Sequence, residues 1–282
     1  MRVAVHEGAD GARETVVQTD AGTASLGEVA VESLIAEGEA GLERLRAAAE
    51  TASPGQDGDR GRVLAPLRHP GKQIFVGVNY EDHVAELPPP WKMTADPFFF
   101  SKLQTAIIGP GDAIELPAED SSVDYEVELV AVIGKTASKV KAEDALDHVF
   151  GWTIVNDVTE RAIQATDNQL TWSKGIDTFC PLGPAIVLRD ELPDPSALDI
   201  WCEVNGETRQ SSNTSQLIFS VEQIIETVSR LITLEPGDTL STGTPAGVGA
   251  FAKPPRFLQP GDVVTVGVEG IGELTNPVAA GW

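Results

Sequence analysis

Short apolar runs of strand length recur along the chain, separated by turns rich in Gly and Pro, and they predict a β-rich fold. These runs fall at residues 3–5, 15–18, 74–78, 126–133, 152–155, 185–188, 200–204 and 263–268. Helical periodicity is rarer. Residues 29–49, rich in Ala, Glu and Leu, predict one amphipathic helix. Residues 220–232 predict a second, with a capping box of Ser220 and Gln223 and a stripe of Val221, Ile224, Ile225, Val228, Leu231 and Ile232. A shorter helix is expected over 142–149. Residues 51–62, TASPGQDGDRGR, carry no apolar period and read as a linker or exposed loop. The boundary there divides the chain into a small N-terminal α/β module, 1–68, and a main domain, 69–282. Three Pro-Gly-Asp turns, at 110–112, 236–238 and 260–262, share no repeat period. The fold class expected is β-rich α+β.

The 282 residues are 41% hydrophobic and 22% charged with a mean hydropathy of −0.06, a composition that suits a globular domain. Charge narrows the partners: 43 acidic against 20 basic residues give −23, so the average surface repels phosphate backbones and anionic headgroups. Neither nucleic acid nor a membrane is an expected partner. An anionic substrate would need a local cationic or metal centre. Two cysteines and four scattered histidines form neither a disulfide framework nor a four-cysteine zinc site. With no secretory leader and no 18-residue apolar run, a cytoplasmic location is expected.

Candidate chemistry begins at residues 123–135, VDYEVELVAVIGK. In a strand, Glu126, Glu128, Val130 and Val132 share one face, and Val127, Leu129, Ala131 and Ile133 the other. Two carboxylates side by side on a buried face repel each other and lose hydration unless one is protonated or a cation lies between them. A hard divalent cation meets that need. An edge strand with inward charges, or a frayed strand start, would explain the pattern equally well. Asp157, after Asn156 at the end of another apolar run, offers a third oxygen ligand or a helix cap. His83 and Glu86, three apart, could form an acid/base dyad or lie on an exposed acidic helix. Lys174 sits in WSKGIDTFCP, beside aromatic, Gly and Pro residues, and could clamp a carboxylate or be merely solvated. Cys180 has no nearby histidine and reads as inert packing. Residues 242–249, TGTPAGVG, lack the lysine of a phosphate loop.

In order, these segments resemble the fumarylacetoacetate hydrolase family across residues 72–278. The resemblance rests on Gly77, Asn79, Tyr80, Asp82, His83 and Glu86; on Glu126 with Glu128; on Asn156 with Asp157; and on Lys174 before DTFCPLGP. It continues through VNGE, LIFSV, TGTPAGVG and GVEGIGELTNPV. It implies the family's C-terminal-domain fold, a mixed β-sandwich or roll, and a homodimer. It also implies Mg2+ or Mn2+ held by Glu126, Glu128 and Asp157. A small anionic 2-oxo acid or β-diketone would chelate the metal, with Lys174 binding and polarising it. His83, oriented by Glu86, would activate water, and Arg161, Gln164 and Thr244 would contact substrate. The sequence departs from the family at Ala162 after Arg161 and at Leu103-Gln104-Thr105 after Lys102. Residues 88–93, PPPWKM, are expected to form a lid. Hydrolysis of a carbon-carbon bond in an acylpyruvate or fumarylpyruvate-like acid is the activity expected. Decarboxylation of an oxaloacetate-like acid, isomerisation of a 2-hydroxydienoate and a noncatalytic metal-dependent binding module stand as alternatives.

Overall fold

Seven consecutive buried residues, Val127–Ile133, form a strand that serves two cores at once. Val127, Leu129, Ala131 and Ile133 belong to one hydrophobic cluster, and Val130 and Val132 to another. This is the alternation predicted for the segment, and it requires partners on both faces of the sheet. The computed structural model describes residues 1–54, 61–88, 95–118, 121–166 and 168–281.

Among these residues the strand lies inside an eleven-stranded sheet. Val149–Asn156 flanks it antiparallel on one side and Thr239–Ser241 on the other. Beyond Val149–Asn156 come Cys180–Leu188 and then Arg2–Glu7, Arg13–Thr19 and Gly22–Ser25. Beyond Thr239–Ser241 come Gln73–Gly77, in parallel, and the edge strand Phe98–Ser101. The strands of the first 68 residues thus extend the main sheet, with Arg2 opposite Val187.

A second sheet orders Glu207–Asn213, Asp199–Val204, Val263–Val268, Gly272–Ala280 and Ile114–Leu116. The first core joins this sheet to the large one through Ile200, Cys202, Val264, Val266 and Leu274, with Val221, Ile224, Ile225 and Val228 of the helix Val221–Ser229. The second core packs the opposite face against Val31, Leu34, Ile35 and Leu45. Two buried faces and separate helices agree with the β-rich α+β class expected.

Three local expectations change. The single helix over 29–49 is two, Val31–Ala36 and Glu39–Glu50, broken at Gly38, whose φ of 61° suits glycine. The two pack so closely that a Cβ on Gly41 would lie 1.9 Å from the Leu34 carbonyl oxygen. The helix expected over 142–149 ends at Ala145; a 3-10 turn, Leu146–His148, follows and Val149 already pairs in the sheet. The capping box of Ser220 and Gln223 forms as expected, but the helix stops at Ser229. Leu231 and Ile232 leave the stripe and are exposed, because the chain turns so that Leu234 can pair with Ala137. No helix among the described residues is long and apolar enough to cross a membrane.

Candidate active site and metal centre

The carboxylates meet where two antiparallel strands end together. Val127 pairs with Asn156, the Asn156 side chain accepts the Glu126 N–H at 3.0 Å, and the Asp157 N–H donates to the Glu126 carbonyl at 2.8 Å. Glu126 and Asp157, far apart in sequence, are therefore held side by side, with Glu128 two residues along the same face. One oxygen from each of the three lies within 4.8 Å of the others, and all three residues are buried. Glu128 is only 1% exposed. Its strand is paired on both sides, so neither an edge strand nor a frayed start explains the acidic pair. Asp157 takes two ammonium groups instead of capping a helix; Glu160 caps Arg161–Gln164.

Three cations surround the cluster. Lys174 Nζ, 3% exposed, reaches Glu126 at 2.8 Å, Asp157 at 2.6 Å and the Thr159 hydroxyl at 2.8 Å. Arg161 donates to Glu126 at 2.6 Å, to Asp124 at 2.9 Å and to the Gln164 side-chain oxygen at 2.9 Å. Lys102 Nζ, on the far side of Asp157, reaches it at 2.6 Å and the Val158 carbonyl at 2.9 Å. Among the described residues Glu128 meets no cationic side chain at ion-pair distance; it accepts from the Ser241 hydroxyl and, at 3.1 Å, from the Gly243 N–H.

The charges respond accordingly. Burial and the adjacent Asp157 and Glu126 carboxylates push Glu128 well above the ordinary carboxylate value. Glu126 is equally buried, yet Lys174 and Arg161 overcome that and hold it low. The two lysines diverge: burial lowers Lys102, whereas Asp157 and Glu126 outweigh burial and raise Lys174. Burial pushes the Cys180 thiol up to about 12, which keeps it protonated and unreactive.

His83 lies on the short helix Glu81–Glu86, buried rather than exposed. Its Nδ1 is 3.2 Å from Glu86, and the other Glu86 oxygen accepts the Gly247 N–H at 2.9 Å. Phe251 packs against the ring, with centroids 5.9 Å apart. Asn79 anchors the segment: its side chain donates to the carbonyls of Phe219 and Thr242 and accepts the Phe219 N–H.

A 140 Å³ cavity brings together His83, Glu126, Glu128, Asp157, Arg161, Gln164, Lys174 and Thr244, with Leu87, Phe98, Phe100, Leu170 and Phe251 as its apolar lining. Glu86 stands behind His83. Ala162 and Leu103, where the sequence departs from the family, are exposed and do not line this cavity. Of the lid expected at 88–93, all but Pro88 lies outside the described residues. Two participants escaped sequence reasoning. In the sequence Lys102 marks only the start of a stretch that departs from the family, although it follows Phe98–Ser101 directly. Asp124, two residues before Glu126, orients Arg161 and accepts the N–H groups of Gly249 and Ala250.

Residues 72–279 match the fumarylacetoacetate (FAA) hydrolase C-terminal family. The chain belongs to the fumarylacetoacetate hydrolase family. Among its relatives, the mitochondrial oxaloacetate tautomerase FAHD2A of Bos taurus is 46% identical over 265 residues, which span 93% of this chain and 83% of that protein. A fumarylacetoacetate hydrolase from Exiguobacterium antarcticum shares the fold at a TM-score of 0.84 and 37% identity, over 99% of this chain and 100% of that one. A Sphingobium maleylpyruvate hydrolase, solved with manganese(II) and pyruvate, aligns over the whole of both chains at a TM-score of 0.81 and 30% identity.

This chain's residues fit such an ion. Three buried carboxylates supply only oxygen donors, as Mg2+ or Mn2+ prefers, and among the described residues Glu128 is the one with no cationic side chain at ion-pair distance. A proton on Glu128 must leave before its oxygen can ligate, so metal binding is expected to release protons and to weaken as pH falls. Below the raised Glu128 pKa, affinity should drop by up to about tenfold per pH unit, one proton being exchanged per ion. Titration calorimetry with Mn2+ in buffers of different ionisation enthalpy measures this release; a pH-independent affinity would contradict it.

Proposed function

We propose that this protein is a divalent-metal-dependent tautomerase of oxaloacetate, interconverting its keto and enol forms. The observation that carries the reading is the 140 Å³ cavity, small beside the roughly 300–1,000 Å³ of pockets for drug-sized ligands, which the acidic triad and His83 line together. That size suits a four-carbon acid. The 46% identity to the bovine oxaloacetate tautomerase supports the same choice.

When bound, Mg2+ or Mn2+ would supply a Lewis acid that draws electron density from the substrate's keto oxygen. The chain's residues account for the rest. Lys174, held between Glu126 and Asp157, places an ammonium group beside the substrate carboxylate and keto oxygen. Glu86 accepts Nδ1–H of His83, so Nε2 is the free ring nitrogen, able to take a proton from the carbon next to the keto group. Return of a proton to oxygen completes the enol; atoms balance without water, oxidant or reductant. Gln164 spends its oxygen on Arg161 and keeps its amide N–H groups for substrate.

Hydrolysis of an acylpyruvate remains the second reading, favoured by the same buried dyad, which would serve equally to activate water. The experiment that separates them strips the protein of metal, restores Mg2+ or Mn2+, and follows oxaloacetate by enol absorbance beside acetopyruvate and maleylpyruvate. Faster approach to keto–enol equilibrium without loss of oxaloacetate is expected. Pyruvate plus a carboxylic acid, without tautomerisation, would transfer the assignment to hydrolysis; carbon dioxide would transfer it to decarboxylation. No metal-dependent turnover of any of them would leave a binding module.

A further inference from the structure

Gln210 lies on the outer strand of the smaller sheet, yet its side chain is completely buried. A bulge aims it. Cys202 pairs with Gln210 and Glu203 with Thr208, so Arg209 is an extra residue that turns the strand at that point. The side chain reaches across to the large sheet, where its Oε1 accepts the N–H of Val127 at 3.0 Å, between the acidic residues Glu126 and Glu128. Its Nε2 donates to the Thr244 hydroxyl at 2.8 Å and to the Pro245 carbonyl at 2.9 Å.

The chemistry of these partners leaves one arrangement. A backbone N–H only donates, so the atom facing Val127 is the amide oxygen; a carbonyl only accepts, so the atom facing Pro245 is the amide nitrogen. Both amide hydrogens are then used, one on Pro245 and one on Thr244. The Thr244 oxygen is an acceptor in this bond, and its own hydrogen points elsewhere. Thr244 is 4% exposed and lines the 140 Å³ cavity with Glu126, Glu128 and Asp157.

We propose that Gln210 is a positioning residue that fixes Thr244 as a hydrogen-bond donor to an oxygen of the bound 2-oxo acid. The inference rests on the functional reading above for the identity of the ligand, and on this geometry for the direction of the bond. Gln210→Glu removes that control: a glutamate supplies no donor when ionised and a single O–H when protonated, so it cannot donate to both Pro245 and Thr244, and the Thr244 hydrogen is no longer held toward the cavity. Thr244→Val removes the donor, and Thr244→Ser keeps it.

The test is a double-mutant cycle on oxaloacetate tautomerisation, with pyruvate binding to the Mn2+-loaded protein measured in parallel by calorimetry. Gln210→Glu and Thr244→Val are each expected to lower kcat/KM roughly ten- to a hundredfold, chiefly through KM, as loss of one hydrogen bond to a charged ligand does. Thr244→Ser should retain most activity. In the Thr244→Val background, Gln210→Glu should cost nothing further in kcat/KM or pyruvate affinity, although it still lowers Tm. Equal losses from Gln210→Glu with and without the Thr244 hydroxyl would overturn the proposal, since they would mark Gln210 as purely structural. A wild-type protein that binds pyruvate without tautomerising oxaloacetate sinks only the functional reading, and the cycle is then read from pyruvate affinities. Failure of both sinks both.

Discussion

Glu128→Gln is expected to lower metal-dependent turnover by roughly 10³-fold or more while making the metal-free protein more stable. The first effect follows from the loss of a charged oxygen from the proposed ligand set: a divalent ion held there would contribute several kcal/mol of charge stabilisation, each 1.36 kcal/mol of which is tenfold in rate. The second follows from what surrounds the residue. Glu128 is buried, among the described residues takes hydrogen bonds only from Ser241 and Gly243, and faces the carboxylates of Glu126 and Asp157. A glutamine oxygen can accept the same two bonds, and its amide hydrogens are attracted to the neighbouring carboxylates that repel a glutamate.

The sign of the pH dependence is fixed by the same raised pKa. A carboxyl whose folded value stands above its ordinary 4.5 binds its proton more tightly in the native state, so metal-free stability is lost as pH rises from 4.5 through the folded value. The variant has no such group. Its advantage should therefore be small at pH 5 and grow toward pH 8, reaching about 2–4 °C in Tm for each kcal/mol released. Calorimetric scans of both proteins in chelator at the two pH values measure it. A metal-free variant less stable than wild type at pH 8 would show that Glu128 is not an uncompensated charge.

His83→Gln should separate chemistry from binding. The substitution removes the ring nitrogen proposed to exchange a proton with substrate and leaves the three carboxylates untouched, so kcat is expected to fall about 10²- to 10⁴-fold, with Mn2+ affinity within twofold of wild type. Glutamine retains an amide that Glu86 can hold, which limits disturbance of the helix Glu81–Glu86 and of the Gly247 contact behind it. KM should change little, since under the proposed function the imidazole takes part in proton transfer and not in holding the substrate carboxylate. Steady-state kinetics beside calorimetry give both numbers. A kcat within tenfold of wild type would remove His83 from the proton transfer under either the tautomerase or the hydrolase reading.

The two substitutions exploit parts of the site that are both legible in the sequence. Two-residue periodicity alone sets Glu126 and Glu128 on one face of Val127–Ile133, and the unbroken apolar run around them demands that both faces be covered. The His83–Glu86 spacing and the capping box of Ser220 and Gln223 are equally local, each spanning a single helical turn. Such features follow from backbone geometry over a few residues, and the chain carries them wherever it folds.

What surrounds those carboxylates could not be read in that way. Lys102 and Asp157 are 55 positions apart, Gln210 and Val127 are 83, and the N-terminal strand Arg2–Glu7 finds its partner in Cys180–Leu188. Nothing in the composition of 29–49 announced that Gly41 would let two helices meet, and nothing around Arg209 announced a bulge. A sequence pattern specifies which faces must be buried and which side chains share them. Which lysine neutralises which carboxylate, and which amide orients a hydroxyl, depend on the register and order of strands joined across long loops. Those are fixed only when the two cores close and every buried polar group must find a partner at once.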